Sequence, residues 1–121
     1  MSETKKILVL DDEPEILELL KHILGKQYVV HTRSNVTEFA KDLEEFRPDL
    51  LLIDHFLGDN TSSEFISQSL LKYGVPFILH SAHEDIEKLF VETNAAGFIK
   101  KPSSIAEIRM RVAKVLERSE A

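Results

Sequence analysis

The chain has 121 residues, no cysteine, 43% hydrophobic residues and a formal net charge of −6, which suits one compact domain with a real core and leaves little room for two. The acidic balance argues against nucleic acid or an anionic membrane as a direct partner, since both need a basic face, and the lack of cysteine excludes disulfides, zinc–thiolate sites and thiol nucleophiles. The longest apolar runs are four or five residues, too short to span a bilayer, and "MSETKK" before so short a run is not a signal peptide, so a soluble cytoplasmic domain is the expectation.

In chain order, "KKILVL" (5–10) reads as a first strand. "PEILELLKHILG" (14–25) carries apolar residues at 16, 17, 20, 23 and 24, a helical stripe with Pro14 in its first turn and Gly25 as a stop. "YVVHTR" (28–33) is a second strand. Asn35 with Glu38 makes a capping-box start for a second helix, in which Phe39, Leu43 and Phe46 share a face. "DLLLI" (49–53) is the third strand. Thr61 with Glu64 opens a third helix that runs to about Tyr73 and is closed by Gly74. "PFILH" (76–80) is the fourth strand, residues 84–94 a fourth helix, and "GFIK" (97–100) the fifth strand. Ser104 with Glu107 caps a fifth helix that ends near Arg118.

Five strand–helix units with short links predict an α/β fold, a doubly wound parallel sheet with helices on both faces. The first and third strands are the most apolar, which makes them central and favours the order 2-1-3-4-5. Function in such sheets gathers at the carboxyl ends of the strands beside the switch point, here between the first and third. No internal repeat or linker interrupts the pattern.

Those strand ends carry Asp11, Asp12 and Glu13 after the first strand and Asp54 after the third. Ser81 follows the fourth and Lys101 the fifth. Each residue alone has a plain reading. An acid before Pro14 caps a helix, Asp54 ends a strand in a turn, Ser81 is structural, and Lys101-Pro102 is a surface pair. Four strand ends bearing the right groups in one layer point instead to a site. Carboxylates from neighbouring strands converge there, and like charges that close destabilise a fold unless a cation neutralises them. Mg²⁺ suits an all-oxygen site that also receives phosphate. Mg²⁺, Lys101 and Ser81 could then each hold a phosphoryl oxygen.

"LVLDDEPEIL", "LLIDHFL", "ILHSA" and "AAGFIKKP", in this order and spacing, resemble the marker segments of response-regulator receiver domains of the CheY-like superfamily. The resemblance runs from about Lys6 to Leu116 and implies a single receiver domain over residues 1–121, with its core at about 5–118 and a flavodoxin-like sheet. It implies that Asp54 accepts a phosphoryl group from a phosphohistidine of a histidine kinase or a histidine phosphotransfer protein. It further implies that Asp12 and Asp54 bind Mg²⁺ directly, that Asp11 acts mainly through bound water, and that the backbone carbonyl of Phe56 is another ligand. Ser81 matches the switch hydroxyl, Lys101 the cation that pairs with the phosphoryl group, and the Lys101-Pro102 bond is typically cis in the family. Lys100 points to the opposite face of the strand and cannot serve. Phe98 takes the aromatic switch position, where Tyr is more usual. Its rotation would remodel the face of the fourth helix, fifth strand and fifth helix, through which an unnamed downstream target is met.

Two positions depart from the family pattern. Gly58 stands where proline is common and Ser62 where glycine is common, which predicts a looser 56–62 loop. Of the histidines, His55 and His80 are expected to face away from the site into the helix layers, and His22 and His31 to be surface or packing residues. His83, two residues past Ser81, is a candidate modulator of dephosphorylation. The expected function is a phosphorylation-controlled switch that catalyses only its own phosphorylation and dephosphorylation, not an enzyme acting on other substrates. Two rivals are a non-phosphorylated binding module on the same fold and an Asp-nucleophile phosphatase. The phosphatase wants a second acid two residues after the nucleophile, where this chain has Phe56. With no output segment after Arg118, the reading leaves a stand-alone receiver, a phosphorelay shuttle or one domain of a longer protein.

Overall fold

The apolar runs become the strands of one parallel sheet: β1 (Lys6–Leu10), β2 (Val29–Arg33), β3 (Leu50–Ile53), β4 (Phe77–Ser81) and β5 (Gly97–Lys100). Their spatial order is β2-β1-β3-β4-β5, as expected. The computed structural model describes residues 4–35, 37–54, 56–57, 60–61, 74–82 and 84–120, and among these it has four helices, α1 (Pro14–Leu24), α2 (Phe39–Glu45), α3 (Ile86–Thr93) and α4 (Ile105–Glu120). The fold is the flavodoxin-like doubly wound sheet.

Because successive strand residues point to opposite faces, each central strand feeds two cores. Ile7, Val9, Leu50, Leu52, Ile78 and Ile99 pack with Leu20, Ile23 and Leu24 of α1 and with Ile108, Val112 and Val115 of α4. Leu8, Leu10, Leu51, Ile53, Phe77 and Leu79 pack with Phe39 and Leu43 of α2 and with Ile86 of α3. β3 is buried on both sides along its whole length, which explains its unbroken apolar run.

The helix ends show where local chemistry decides. Pro14 sits in the first turn of α1, where its missing N–H costs nothing. At α4 the expected cap forms, with Ser104 Oγ accepting from the Glu107 N–H at 3.1 Å. At α2 it does not. Asn35 Oδ1 accepts from the Thr37 N–H at 3.0 Å instead, a local turn that competes with helix, and α2 begins only at Phe39. α3 is likewise shorter than the expected 84–94, and it closes at Asn94 in the left-handed conformation with φ 64°. Thr61, expected to open the third helix, pairs with Phe56 in a two-residue antiparallel ladder, an extended conformation that a helix N-cap also has. The rest of that helix, Gly58, Ser62, His55 and His83 lie outside the described residues.

Candidate phosphoryl and metal site

Pairing of β1 with β3 places two acidic strand ends side by side. The Asp54 N–H donates to the Leu10 carbonyl at 2.8 Å, continuing the ladder one step beyond β3. Asp54 therefore sits next to Asp11, and one carboxylate oxygen each from Asp11, Asp12 and Asp54 lie within 4.8 Å of one another. The three differ in exposure: Asp11 is buried, Asp54 is half-buried and Asp12 is open to solvent. An all-oxygen donor set of this size, reachable from solvent through Asp12, fits a hard divalent cation.

Lys101 joins the same cluster. Its Nζ donates to Asp11 Oδ2 at 2.8 Å and to Asp54 Oδ2 at 3.4 Å, and it lies 3.6 Å from Glu13 Oε2. Burial alone would lower the ammonium's pKa, but its hydrogen bond to Asp11 and the attraction of Asp54, Asp11 and Glu13 outweigh it, and the pKa is raised. Lys101 is thus a fixed positive charge. Its neighbour Lys100 is exposed on the other face. The Lys101–Pro102 peptide is cis. The Lys101 N–H donates to the Ser81 carbonyl at 2.9 Å, which ties the end of β5 to the end of β4.

Asp11 is committed on both oxygens, one to Lys101 and the other to the Glu13 N–H at 3.0 Å. Asp11 is also the most buried of the three. Ser81 is buried on the α2/α3 side of the sheet, the side of Leu79. Phe98, in register with Leu79, packs at the edge of the same core with its ring 5.3 Å from that of Phe90, tilted by 51°. Phe56 lies in the short ladder just beyond Asp54.

Two features were hidden at the level of single positions. Glu13 approaches Lys101 as a third acid, foreshadowed by the run Asp11-Asp12-Glu13. His80 does turn into a helix layer, but into the layer that also receives Lys101. It lines a cleft of about 420 Å³ with Glu13, Ile16, Leu20, Lys101, Ser103 and Ile108. Strand parity holds the signal: a residue that points away from Ser81 points towards the side from which Lys101 comes. Burial first, and then the Lys101 charge, push the His80 imidazole down to about 4 against a weaker opposing pull from Asp11, so it is neutral at neutral pH. His31 stacks on Phe46 with ring centroids 3.8 Å apart, a packing role.

Comparison with known proteins agrees with this fold. The family model described as the response regulator receiver domain matches residues 7–113. The alkaline phosphatase synthesis transcriptional regulatory protein PhoP of Bacillus subtilis (strain 168) is 35% identical over 96% of this chain and 50% of its own length. The transcriptional regulatory protein KdpE of Staphylococcus aureus (strain NCTC 8325 / PS 47) is 29% identical over 93% of this chain and 50% of its own length. The chain therefore spans about half the length of these curated relatives. Among solved structures, a CheY-like response regulator receiver domain protein from Methanospirillum hungatei JF-1 superposes with a TM-score of 0.87 at 24% identity, covering 98% of each chain. The BeF3-activated N-terminal receiver domain of Klebsiella pneumoniae RstA superposes with a TM-score of 0.83 at 23% identity, over 93% of this chain and 98% of that one. No helix among the described residues is long and apolar enough to cross a membrane.

Proposed function

The chain belongs to the response regulator receiver domain family, and from that premise we propose that Asp54 accepts a phosphoryl group from a phosphohistidine of a histidine kinase or a histidine phosphotransfer protein. The observation that carries the reading is the Lys101 ammonium held at 2.8 Å from Asp11 and 3.4 Å from Asp54, beside a three-carboxylate cluster. In the transfer, an Asp54 oxygen bonds to phosphorus while the bond from phosphorus to the donor's imidazole nitrogen breaks. The ring leaves as neutral imidazole, with the proton on its other nitrogen. The product is an acyl phosphate, which water later hydrolyses to inorganic phosphate and free Asp54.

Phosphoryl transfer needs alignment and compensation of charge more than covalent help from the protein. Asp54 supplies the attacking oxygen from a backbone fixed by the β1–β3 ladder. Lys101, already placed, exchanges part of its contact with Asp54 for a phosphoryl oxygen, so the positive charge needs little rearrangement. Asp12 and Asp54 would hold Mg²⁺ directly, Asp11 mainly through water, and the Phe56 carbonyl would complete the protein ligands. When bound, the ion supplies positive charge against the phosphoryl oxygens and offsets the carboxylate cluster. On the other sheet face, Ser81 turns its hydroxyl to the new phosphoryl group and gives Phe98 room to rotate inwards. That shifts the population of the surface formed by residues 86–93, 97–100 and 105–120. As a phenylalanine, Phe98 has no phenolic hydrogen bond to hold it outward. The domain is a signalling switch whose chemistry is confined to its own aspartate.

The test is incubation with acetyl phosphate or phosphoramidate and Mg²⁺, followed by intact mass. Wild type gains one phosphoryl group and Asp54→Ala gains none. A wild type that never gains the adduct refutes the switch, and an equal adduct on Asp54→Ala refutes the assignment of the acceptor.

A further inference from the structure

Among the buried polar groups that the phosphoryl chemistry does not use, His80 lies nearest to its machinery. His80 is only 4% exposed, and its Nδ1 has no hydrogen-bond partner among the described residues. Its other ring nitrogen, Nε2, lies 3.4 Å from Ser103 Oγ. Its surroundings, with Ile16, Leu20 and Ile108 among them, suit an aliphatic side chain, so an imidazole here carries a desolvation cost that a leucine would avoid. Ser103 stands two residues past Lys101, in the turn from β5 to α4. That turn meets β4 twice, through the Lys101 N–H on the Ser81 carbonyl and through Ser103 on His80. Its far end is fixed to α4 by the Ser104 cap.

We propose that His80 is a positioning residue which, through Ser103, holds the 101–104 turn against β4 and so sets Lys101 between Asp11 and Asp54. The proposal rests on the reading of Asp54 as phosphoacceptor. It assigns no contact between His80 and the phosphoryl group. An orphaned acceptor costs less than an orphaned donor, so the imidazole carries its hydrogen on Nε2 and donates it to Ser103 Oγ. A neutral ring is required, because a second cation beside Lys101 would push the ammonium away. The low proton affinity of His80 meets that requirement.

The experiment compares wild type with His80→Leu, Ser103→Ala, the double variant and Ser103→Thr. Phosphorylation by phosphoramidate with Mg²⁺ is followed by intact mass, and nitrogen-15 spectra of the wild-type ring report its tautomer. Each of His80→Leu and Ser103→Ala is expected to slow phosphorylation by roughly fivefold, since small misplacements of a positioned group cost rate. The double variant is then no slower than the slower single, because both remove one link. Ser103→Thr, which keeps the hydroxyl, returns to the wild-type rate, and the spectra show hydrogen on Nε2. Wild-type rates in both singles overturn the proposal. So do additive slowing in the double, a Ser103→Thr as slow as Ser103→Ala, or a hydrogen on Nδ1. If His80→Leu does not fold, the Ser103 pair decides alone. A wild type that accepts no phosphoryl group overturns the acceptor reading instead. The brace is then judged by the Lys101 ε-methylene signals, which must shift in Ser103→Ala and stay in place in Ser103→Thr.

Discussion

The two faces of the sheet are built differently. The face covered by α1 and α4 has helices of 11 and 16 residues, and it carries Lys101, hydrogen-bonded to Asp11 and Asp54, and His80, which meets Ser103. Among the described residues, the face covered by α2 and α3 has helices of 7 and 8 residues, and it carries Ser81 and Phe98. The difference assigns the tasks. In the proposed reaction, the groups that must be in place beforehand sit on the face of α1 and α4, where electrostatic preorganisation costs nothing at the moment of transfer. In the proposed switch, the groups that move afterwards sit on the other face, where the described helices are shorter and local rearrangement is less costly.

The strongest way to break this division is to compare Lys101→Ala with Ser81→Ala. Removing a preplaced charge that stabilises a transition state costs about 10²–10³ in rate, so Lys101→Ala is expected to slow acyl-phosphate formation by at least about a hundredfold. Lys100→Ala should leave it unchanged. Ser81→Ala should still be phosphorylated at a rate within about tenfold of wild type, because a single side-chain hydroxyl donor contributes less than a fixed charge. It should instead lose the spectral change that beryllofluoride induces over residues 86–100. Equal slowing in Lys101→Ala and Ser81→Ala, timed by intact mass, would remove the distinction between a holding face and a moving one.

Next in size is an acid effect confined to the holding face. The folded-state pKa of His80 is lowered to about 4, so below its ordinary value of 6.5 the unfolded chain binds the proton first. The stability contributed by the neutral ring is fully present above about pH 6.5 and is lost as pH falls towards 4. The loss approaches about 3 kcal/mol at one pKa unit per 1.36 kcal/mol. The charged groups named around the ring are Lys101, which opposes protonation, and Asp11, which favours it, with Glu13 in the same cleft. Urea midpoints at pH 7, 6, 5 and 4 should fall more steeply in wild type than in His80→Leu. Parallel curves would mean that the ring protonates in the folded state without penalty.

His80 also marks the limit of what the sequence disclosed. The order of the sheet, the double burial of β3 and the convergence of Asp11, Asp12, Asp54 and Lys101 were legible, because each follows from period, polarity and position at a strand end. So was the separation of Lys100 from Lys101, which needs only strand parity. The partner of His80 was not, because Ser103 meets it across two strands and no local pattern links residues 80 and 103. The start of α2 was misjudged for a different reason. Asn35 can satisfy either a helix N-terminus or a turn of its own, and the two are close in free energy. The ends of α3 were set by Asn94 and by burial of Ile86 and Thr93, which composition alone does not rank.

On the face of α2 and α3 a smaller effect tests what a polar tie contributes. Arg33 grips the buried Asp42 of α2 through Nε and Nη2, each at 2.9 Å. Arg33→Ala leaves that carboxylate without its fork and is expected to cost about 1–2 kcal/mol, at the low side because the guanidinium is half-exposed and screened. Denaturant unfolding should show the loss, and the phosphorylation rate should not change. A rate that fell with stability would mean that α2 supports the site directly.

The smallest effect concerns the contact between α3 and β5. The rings of Phe90 and Phe98 meet at 5.3 Å with a tilt of 51°, and such pairs contribute about 0.5–1.5 kcal/mol beyond their buried area. The contact belongs to the state described here, so it opposes any rotation that takes Phe98 elsewhere. Phe90→Ala should then favour the rotated state in the unphosphorylated protein by about fivefold, which corresponds to about 1 kcal/mol. The shift is readable as nuclear magnetic resonance signals of residues 97–100 moving part of the way towards their beryllofluoride-bound positions. Because the unphosphorylated and phosphorylated states are linked, the same variant should bind beryllofluoride more tightly by the same factor. A Phe90→Ala protein with wild-type signals and wild-type affinity would show that Phe98 is held by the sheet, not by α3. The moving face would then begin at β5, and α3 would follow it passively.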